Sequence, residues 1–152
     1  MRVRAGIVLI KDHKVALIER HRGDLHYFVF PGGGVDEGES PEQAAIREAM
    51  EELGVKVVIK QKVVEVYLGS KSRQIYFLVE QTGGNFGTGT GPEFTNPDAD
   101  NQDVIKYLPV WMPLEELSWR EKVFPADVAK LVLKSVRDGW PEEAIIAFEE
   151  SM

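Results

Sequence analysis

Gly33 to Val55 reads GGVDEGESPEQAAIREAMEELGV, and its order of turn, cap and charge predicts a helix from Ser40 to Leu53. Ser40 offers a hydroxyl to a free backbone N–H, Pro41 has no N–H to leave unsatisfied, and Gln43 stands where a capping box needs its partner. Gly54 reads as the stop. Between those ends Ile46, Ala49, Met50 and Leu53 recur at helical spacing as an apolar face. Glu48, Glu51 and Glu52, three and four residues apart, gather on the opposite one.

Carboxylates at those spacings repel one another by roughly 0.2–0.5 kcal/mol per pair, a cost with no helix-forming benefit. A bound divalent cation reverses the sign of that interaction. Hard cations such as Mg²⁺ take oxygen ligands and keep several waters, so a carboxylate-bearing helix face suits a metal that also contacts substrate phosphates. The preceding Phe30-Pro31-Gly32-Gly33-Gly34 follows the apolar run Tyr27 to Phe30. Its glycines permit positive φ and close backbone approach to a ligand or to the helix. An acidic helix face is ordinarily only a solvated face. Here the turn, Glu39, Arg47 and Gly54 all fall in register with it, which favours the metal.

The same spacing resembles the Nudix box, Gly-x5-Glu-x7-Arg-Glu-U-x-Glu-Glu-x-Gly-U with U apolar, filled by Gly33, Glu39, Arg47, Glu48, Glu51, Glu52 and Gly54. Ala49 stands at the first apolar position in place of a bulky aliphatic residue, a departure that loosens packing and not chemistry. The resemblance implies an α/β fold, an α/β/α sandwich with a mixed β-sheet between helices. It also implies attack of water on a phosphorus of a nucleoside diphosphate linked to another group. In those terms Glu51 and Glu52 are the principal ligands of Mg²⁺, with Mn²⁺ as a substitute. Glu48 is a further ligand or the residue that orients or deprotonates the water, and the Gly33 carbonyl is a ligand from the loop. Arg47 and Glu39 hold the ligands in place. Arg47 lies four residues before Glu51, where a planar guanidinium can orient a carboxylate.

At 152 residues and 43% hydrophobic content the chain has material for one compact domain, and no linker-like stretch divides residues 1–152. It has no cysteine, which excludes disulfides, thiolate metal sites and a cysteine nucleophile and points to the cytoplasm. The run Val3 to Ile10 is cut by Lys11 and Asp12, far too short to span a membrane. A net charge of -7 argues against a stable nucleic-acid complex or an anionic membrane partner and leaves a small nucleotide as substrate. A homo-oligomer is left open.

Along the chain, Val3 to Ile10 and Lys14 to Arg20 read as a hairpin around Lys11-Asp12-His13, and Tyr27 to Phe30 as a short strand. Lys56 to Leu68 and Arg73 to Glu80 form a second strand pair, Val104 to Trp111 another strand, and Pro125 to Arg137 a helix with Val128, Leu131, Val132 and Val136 at helical spacing. Val110 to Leu117 resembles the family's strand-to-helix passage. The tail from Trp140 reads as a short packing helix on Ile145, Ile146 and Phe148.

Thr82 to Asp103 carries five glycines and no apolar period, a length of loop that is often functional. It is expected to be either a plain insertion or a substrate lid. In the second case Phe86 or Phe94 stacks on a base and Glu93, ahead of Asp98, Asp100 and Asp103, adds a carboxylate. Of three histidines, His13 sits in a turn. His21 and His26 flank Arg22-Gly23-Asp24-Leu25, from which Arg22 can meet a phosphate and His26 a base. Tyr27 reads as sheet packing.

The leading expectation is a Mg²⁺-dependent pyrophosphohydrolase of a nucleoside triphosphate, oxidised forms included, as in MutT-like enzymes. ADP-ribose, nucleotide-sugar and dinucleoside polyphosphate substrates fit the box almost as well. A catalytically silent nucleotide sensor is the alternative of another class, disfavoured because the box carboxylates are kept. An RNA-end pyrophosphohydrolase is disfavoured by the acidic balance.

Overall fold

The structure is a computed structural model that describes residues 2–89 and 106–149. β1 (Arg2–Lys11) and β2 (Lys14–Arg22) form the expected hairpin. Its two-residue turn places Asp12 and His13 at φ 52° and 62°. That is the left-handed pair whose twist matches two antiparallel strands.

The strands join one mixed sheet. β3 (Leu25–Val29) runs antiparallel to β2, and β8 (Val123–Phe124) parallel to β3. β5 (Val55–Leu68) and β6 (Ser72–Gly84) are antiparallel, with β6 parallel to β1. The order is β8-β3-β2-β1-β6-β5-β9, where β9 is Ile145–Glu149, with β7 (Lys106–Pro113) on β2 and β4 (Gly32–Gly34) on β1. β1 pairs with β2 only at Ile10 and Lys11, while its first half pairs with β4 and β6. The two strands therefore diverge from their hairpin and open a cleft.

Helices cover both faces, and strand alternation sorts the core accordingly. Ala5, Ile7 and Leu9 of β1, with Ile75, Phe77 and Val79 of β6, pack under α1 (Pro41–Glu48). Val8, Leu17 and Tyr76 face α3 (Ala126–Asp138) through Val128, Leu131 and Val132. A short α2 (Leu114–Leu117) follows β7, as the strand-to-helix passage led one to expect. The α/β/α architecture with a mixed sheet is thus present. Among the described residues no helix is long and apolar enough to cross a membrane.

Three details differ from the expectations. The tail is not a helix: Ile145–Glu149 is a strand, β9, parallel to Val64–Leu68 of β5. The β-branched and aromatic residues there suit an edge strand. Ala147 packs on the core, and Phe148 stacks on Tyr67 with ring centroids 5.5 Å apart. The glycine turn is strand β4, and none of its three glycines has positive φ. The apolar face of α1 is also different, since Ile46 and Met50 are 41% and 37% exposed while Ala44, Ala45, Ala49 and Leu53 are fully buried. Small residues let the helix lie close on β1, and its last turn widens to a π-turn over Ala49–Leu53, shifting the face.

One acid is buried in the sheet. Glu65 of β5 accepts from Arg73 Nη2 at 2.8 Å, Lys62 Nζ at 2.9 Å and the Tyr67 hydroxyl at 3.2 Å. The Arg73 guanidinium, ahead of Lys62, holds its carboxyl down at about 2 from an ordinary 4.5. A depressed folded value stabilises the protein above the unfolded one, and that contribution is lost as pH falls through the interval between them. The urea midpoint is expected to drop between pH 4.5 and about 2, by on the order of 2 kcal/mol in stability. Glu65→Gln is expected to flatten that part of the curve.

Candidate active site

Arg47 organises the loop-to-helix corner. Ser40 caps α1 as expected, accepting from the Gln43 N–H at 3.1 Å while the Gln43 side chain accepts from the Ser40 N–H at 2.8 Å. That start fixes Glu39 just outside the helix and Arg47 two turns along it. The guanidinium donates from Nε and Nη2 to the two oxygens of Glu39, at 2.9 and 3.0 Å. Nη2 also reaches the Gly34 carbonyl at 2.9 Å, and Nη1 reaches Glu48 at 2.9 Å and Glu51 at 3.1 Å. A planar fork with five donors can hold this many acceptors where an ammonium cannot. The Arg47 hydrogen bonds bring the Glu39 carboxyl down to about 2, and Arg47 itself is pushed above its ordinary range by Glu39 first.

Gly33 shows why the box opens on glycine. A Cβ there would lie 2.2 Å from Oε1 of Glu48, so the missing side chain is the space the carboxylate occupies. Pairing with Ala5 fixes the backbone, and close approach, not positive φ, is what glycine supplies. Gly33→Ala clashes only with the end of a flexible side chain, so stability should change little. Displacing Glu48 by an ångström or so is expected to cost about tenfold or more in kcat. Steady-state kinetics beside a melting curve separate the two effects.

At the far end, Gly54 takes φ 78° and stops the helix. The start of the glycine-rich segment packs there: the Asn85 N–H donates to the Gly54 carbonyl at 3.0 Å and the Gly87 N–H to that of Leu53 at 2.8 Å. Glu52 is buried beside this turn, at 8% exposure. Glu48 and Glu51 thus offer carboxylate oxygens at one corner, next to a backbone bare of side chains, and Glu52 follows on the same helical segment. That donor set fits a hard divalent cation.

A pocket opens in the cleft between β1 and β2, lined among others by Arg4, Arg20, Phe30, Tyr76 and Phe124. It adjoins the corner: Arg4 Nη2 lies 3.5 Å from the Gly32 carbonyl. Burial, first of all, raises the Tyr76 hydroxyl above its ordinary range, and the charges that act on it are Arg4 and Arg20 against Glu149 and Glu52. The Arg20 guanidinium lies 4.7 Å above the Tyr107 ring, and its Nε is buried with no hydrogen-bond partner among the described residues. A buried donor in that condition suits an acceptor on a ligand. Two guanidiniums and aromatic walls can receive phosphate and base together.

The sequence marks none of Arg4, Arg20, Phe30 and Tyr76 by a motif. Its available signal was an arginine at an inward position of each of two apolar strands. Of the residues it did single out, Glu39, Arg47, Glu48, Glu51 and Gly33 meet at the corner, and Glu52 is buried on the turn that follows. Arg22 is exposed at the end of β2, outside the pocket lining. His26 contacts Glu19 and His21 instead. Phe86 stacks on Trp111 with centroids 4.5 Å apart and packs against the α1 side of the core, which engages its ring. Tyr27 packs edge-on to Phe124. Glu93 and Phe94, with Asp98, Asp100 and Asp103, lie outside the described residues.

A family model described as NUDIX domain matches residues 1–132. A protein of Vibrio cholerae serotype O1 named RNA pyrophosphohydrolase is 29% identical over 146 residues, spanning 81% of this chain and 80% of that one. The crystal structure of a NUDIX hydrolase from Nitrosomonas europaea matches with a TM-score of 0.74 at 19% identity, covering 99% of this chain and 79% of that chain. An ADP-ribose pyrophosphatase from Streptococcus suis matches at 0.65 and 15% identity, over 97% and 98% of the two chains. At these identities the solved structures share a fold with this chain, and substrates are a separate matter.

Proposed function

The chain belongs to the Nudix family of hydrolases, and from that premise we propose that it is a Mg²⁺-dependent pyrophosphohydrolase of a nucleoside triphosphate, oxidised purine forms included. Its products are the monophosphate and pyrophosphate. The observation that carries this reading is the Arg4 and Arg20 pocket, which adjoins the carboxylate corner and offers two guanidiniums to phosphate oxygens. The continuous sheet from β8 to β9 supports a single domain.

Glu48, Glu51 and Glu52 would hold the cation, with the Gly33 carbonyl as a loop ligand. When bound, a hard divalent cation there offsets phosphate charge and makes a water molecule a better nucleophile. Arg47 keeps Glu48 and Glu51 in orientation, and Glu39 keeps Arg47 in place. Glu48, lying against the Gly33 backbone, ligates or takes the proton of the attacking water. That water adds to a phosphorus and the anhydride oxygen leaves. Arg4 and Arg20 bind the remaining phosphate oxygens, and Phe30 and Phe124 wall the base.

Incubation with nucleoside triphosphates, their 8-oxoguanine forms, ADP-ribose, dinucleoside polyphosphates and 5′-triphosphorylated RNA, with Mg²⁺ or EDTA, tests the reading by product identity. Monophosphate and pyrophosphate from one triphosphate, abolished by EDTA, is the expected result. Preference for ADP-ribose or a dinucleotide would displace the substrate and keep the corner. The name of the Vibrio relative favours one second reading, an RNA 5′ end as substrate, which predominant turnover of the RNA would establish. Arg20→Ala is expected to raise KM about tenfold, the loss of one charged hydrogen bond, with a smaller change in kcat.

A further inference from the structure

Glu19, His21 and His26 lie outside the carboxylate corner and its pocket. Glu19 and His21 are two residues apart on β2, hence on one face, and the register sets His26 of β3 directly opposite His21. The two imidazoles stack with centroids 4.3 Å apart and planes 11° apart. Oε2 of Glu19 lies 2.6 Å from Nε2 of His26 and 3.4 Å from Nε2 of His21. One ligand atom from each of the three falls within 4.8 Å of the others. We propose that these residues form a second metal site, specific for a borderline divalent ion of the Zn²⁺ class, with water completing its shell.

The geometry asks for little movement. Ligand atoms about 2.0–2.1 Å from a tetrahedral zinc stand roughly 3.3 Å apart, close to the Glu19–His21 separation, and rotation of the Glu19 side chain opens the other. The ladder of β2 and β3 already fixes the three Cα positions, so binding orders side chains and not backbone. Phe28 packs 5.2 Å from His26 and supports that ring from below. Arg120, which lies over Phe28, is paired with Glu116, and Glu19 supplies negative charge to the ion.

Ligand chemistry separates the two sites. Two imidazoles and one carboxylate select zinc and its transition-metal neighbours, whereas the all-oxygen corner suits Mg²⁺. Side chains half exposed at His21 and His26 leave the site open for ion entry. Occupancy clips β2 to β3 on either side of Arg20, the residue between Glu19 and His21, and so stiffens one wall of the nucleotide pocket.

Calorimetric titration of the full chain with ZnCl₂ in excess Mg²⁺, which fills the corner, tests this. One zinc per chain is expected, with a rise in Tm on binding. The double variant His21→Ala/His26→Ala should bind at least about a hundredfold more weakly, beyond the loss typical of an outer-shell partner. Glu52→Gln and His13→Ala should bind as the wild type does, which makes the outcome independent of the pyrophosphohydrolase reading. Co²⁺ in place of zinc should give visible absorption bands that the double variant lacks. Unchanged zinc affinity in the double variant, loss of it in Glu52→Gln, or no uptake at micromolar zinc would overturn the site.

Discussion

Glu52→Gln is expected to lower kcat about a thousandfold while the protein stays folded, the scale of losing one preorganised charge at a phosphoryl-transfer site. The substitution keeps shape and removes only the negative charge, at a side chain that is 8% exposed beside the π-turn. Stability should hold or rise slightly, because a buried charge is more costly to desolvate than an amide. Pyrophosphate release and a melting curve on the same preparation check both halves. Because Arg47 bonds Glu39, Glu48 and Glu51, the rest of the corner should keep its geometry in this variant. A variant that keeps more than about a tenth of wild-type kcat would remove Glu52 from the cation site, since an amide cannot replace a carboxylate there.

What was legible in advance was local. Ser40 with Gln43, Gly54 and the Asp12-His13 turn act through hydrogen bonds and dihedrals spanning a few residues, and each stands where the spacing predicts. Glu39, Arg47, Glu48 and Glu51 lie together for the same reason: one helix and the loop before it carry them. The errors are long-range. β9 pairs with residues about eighty positions away, and Ile145, Ile146 and Phe148 read equally well as helix or strand until that partner is known. Ile46 and Met50 fit a 3.6-residue period, yet the buried face is set by how closely Ala44, Ala45 and Ala49 let α1 approach β1.

The pocket was hidden because Arg4 and Arg20 come from strands that part beyond their hairpin, which no local pattern announces. The histidine pair was closer to hand. Gly23-Asp24 is a two-residue turn with Gly23 at φ 58°, and such a turn necessarily sets residue 21 opposite 26.

Arg47→Ala is expected to lower kcat about a hundredfold and to cost about 2 kcal/mol of stability, less than a fully buried pair because the guanidinium and Glu51 are partly exposed. It removes the bidentate clamp on Glu39, the tie to the Gly34 carbonyl and both bonds to the helix acids. Glu39, Glu48 and Glu51 then face one another without the cation that collected them. Added Mg²⁺ should recover part of the stability, since it supplies positive charge to the same carboxylates. It should not recover the rate, because the loop from Gly34 to Glu39 has lost its link to the helix. Arg47→Lys separates charge from shape: an ammonium restores the charge but cannot span Glu39, Gly34, Glu48 and Glu51 at once. Stability near the wild type with kcat still low in Arg47→Lys would assign Arg47 to positioning. Wild-type kcat in Arg47→Lys would mean that charge alone is enough and that the fork geometry, however complete, is not what the reaction depends on.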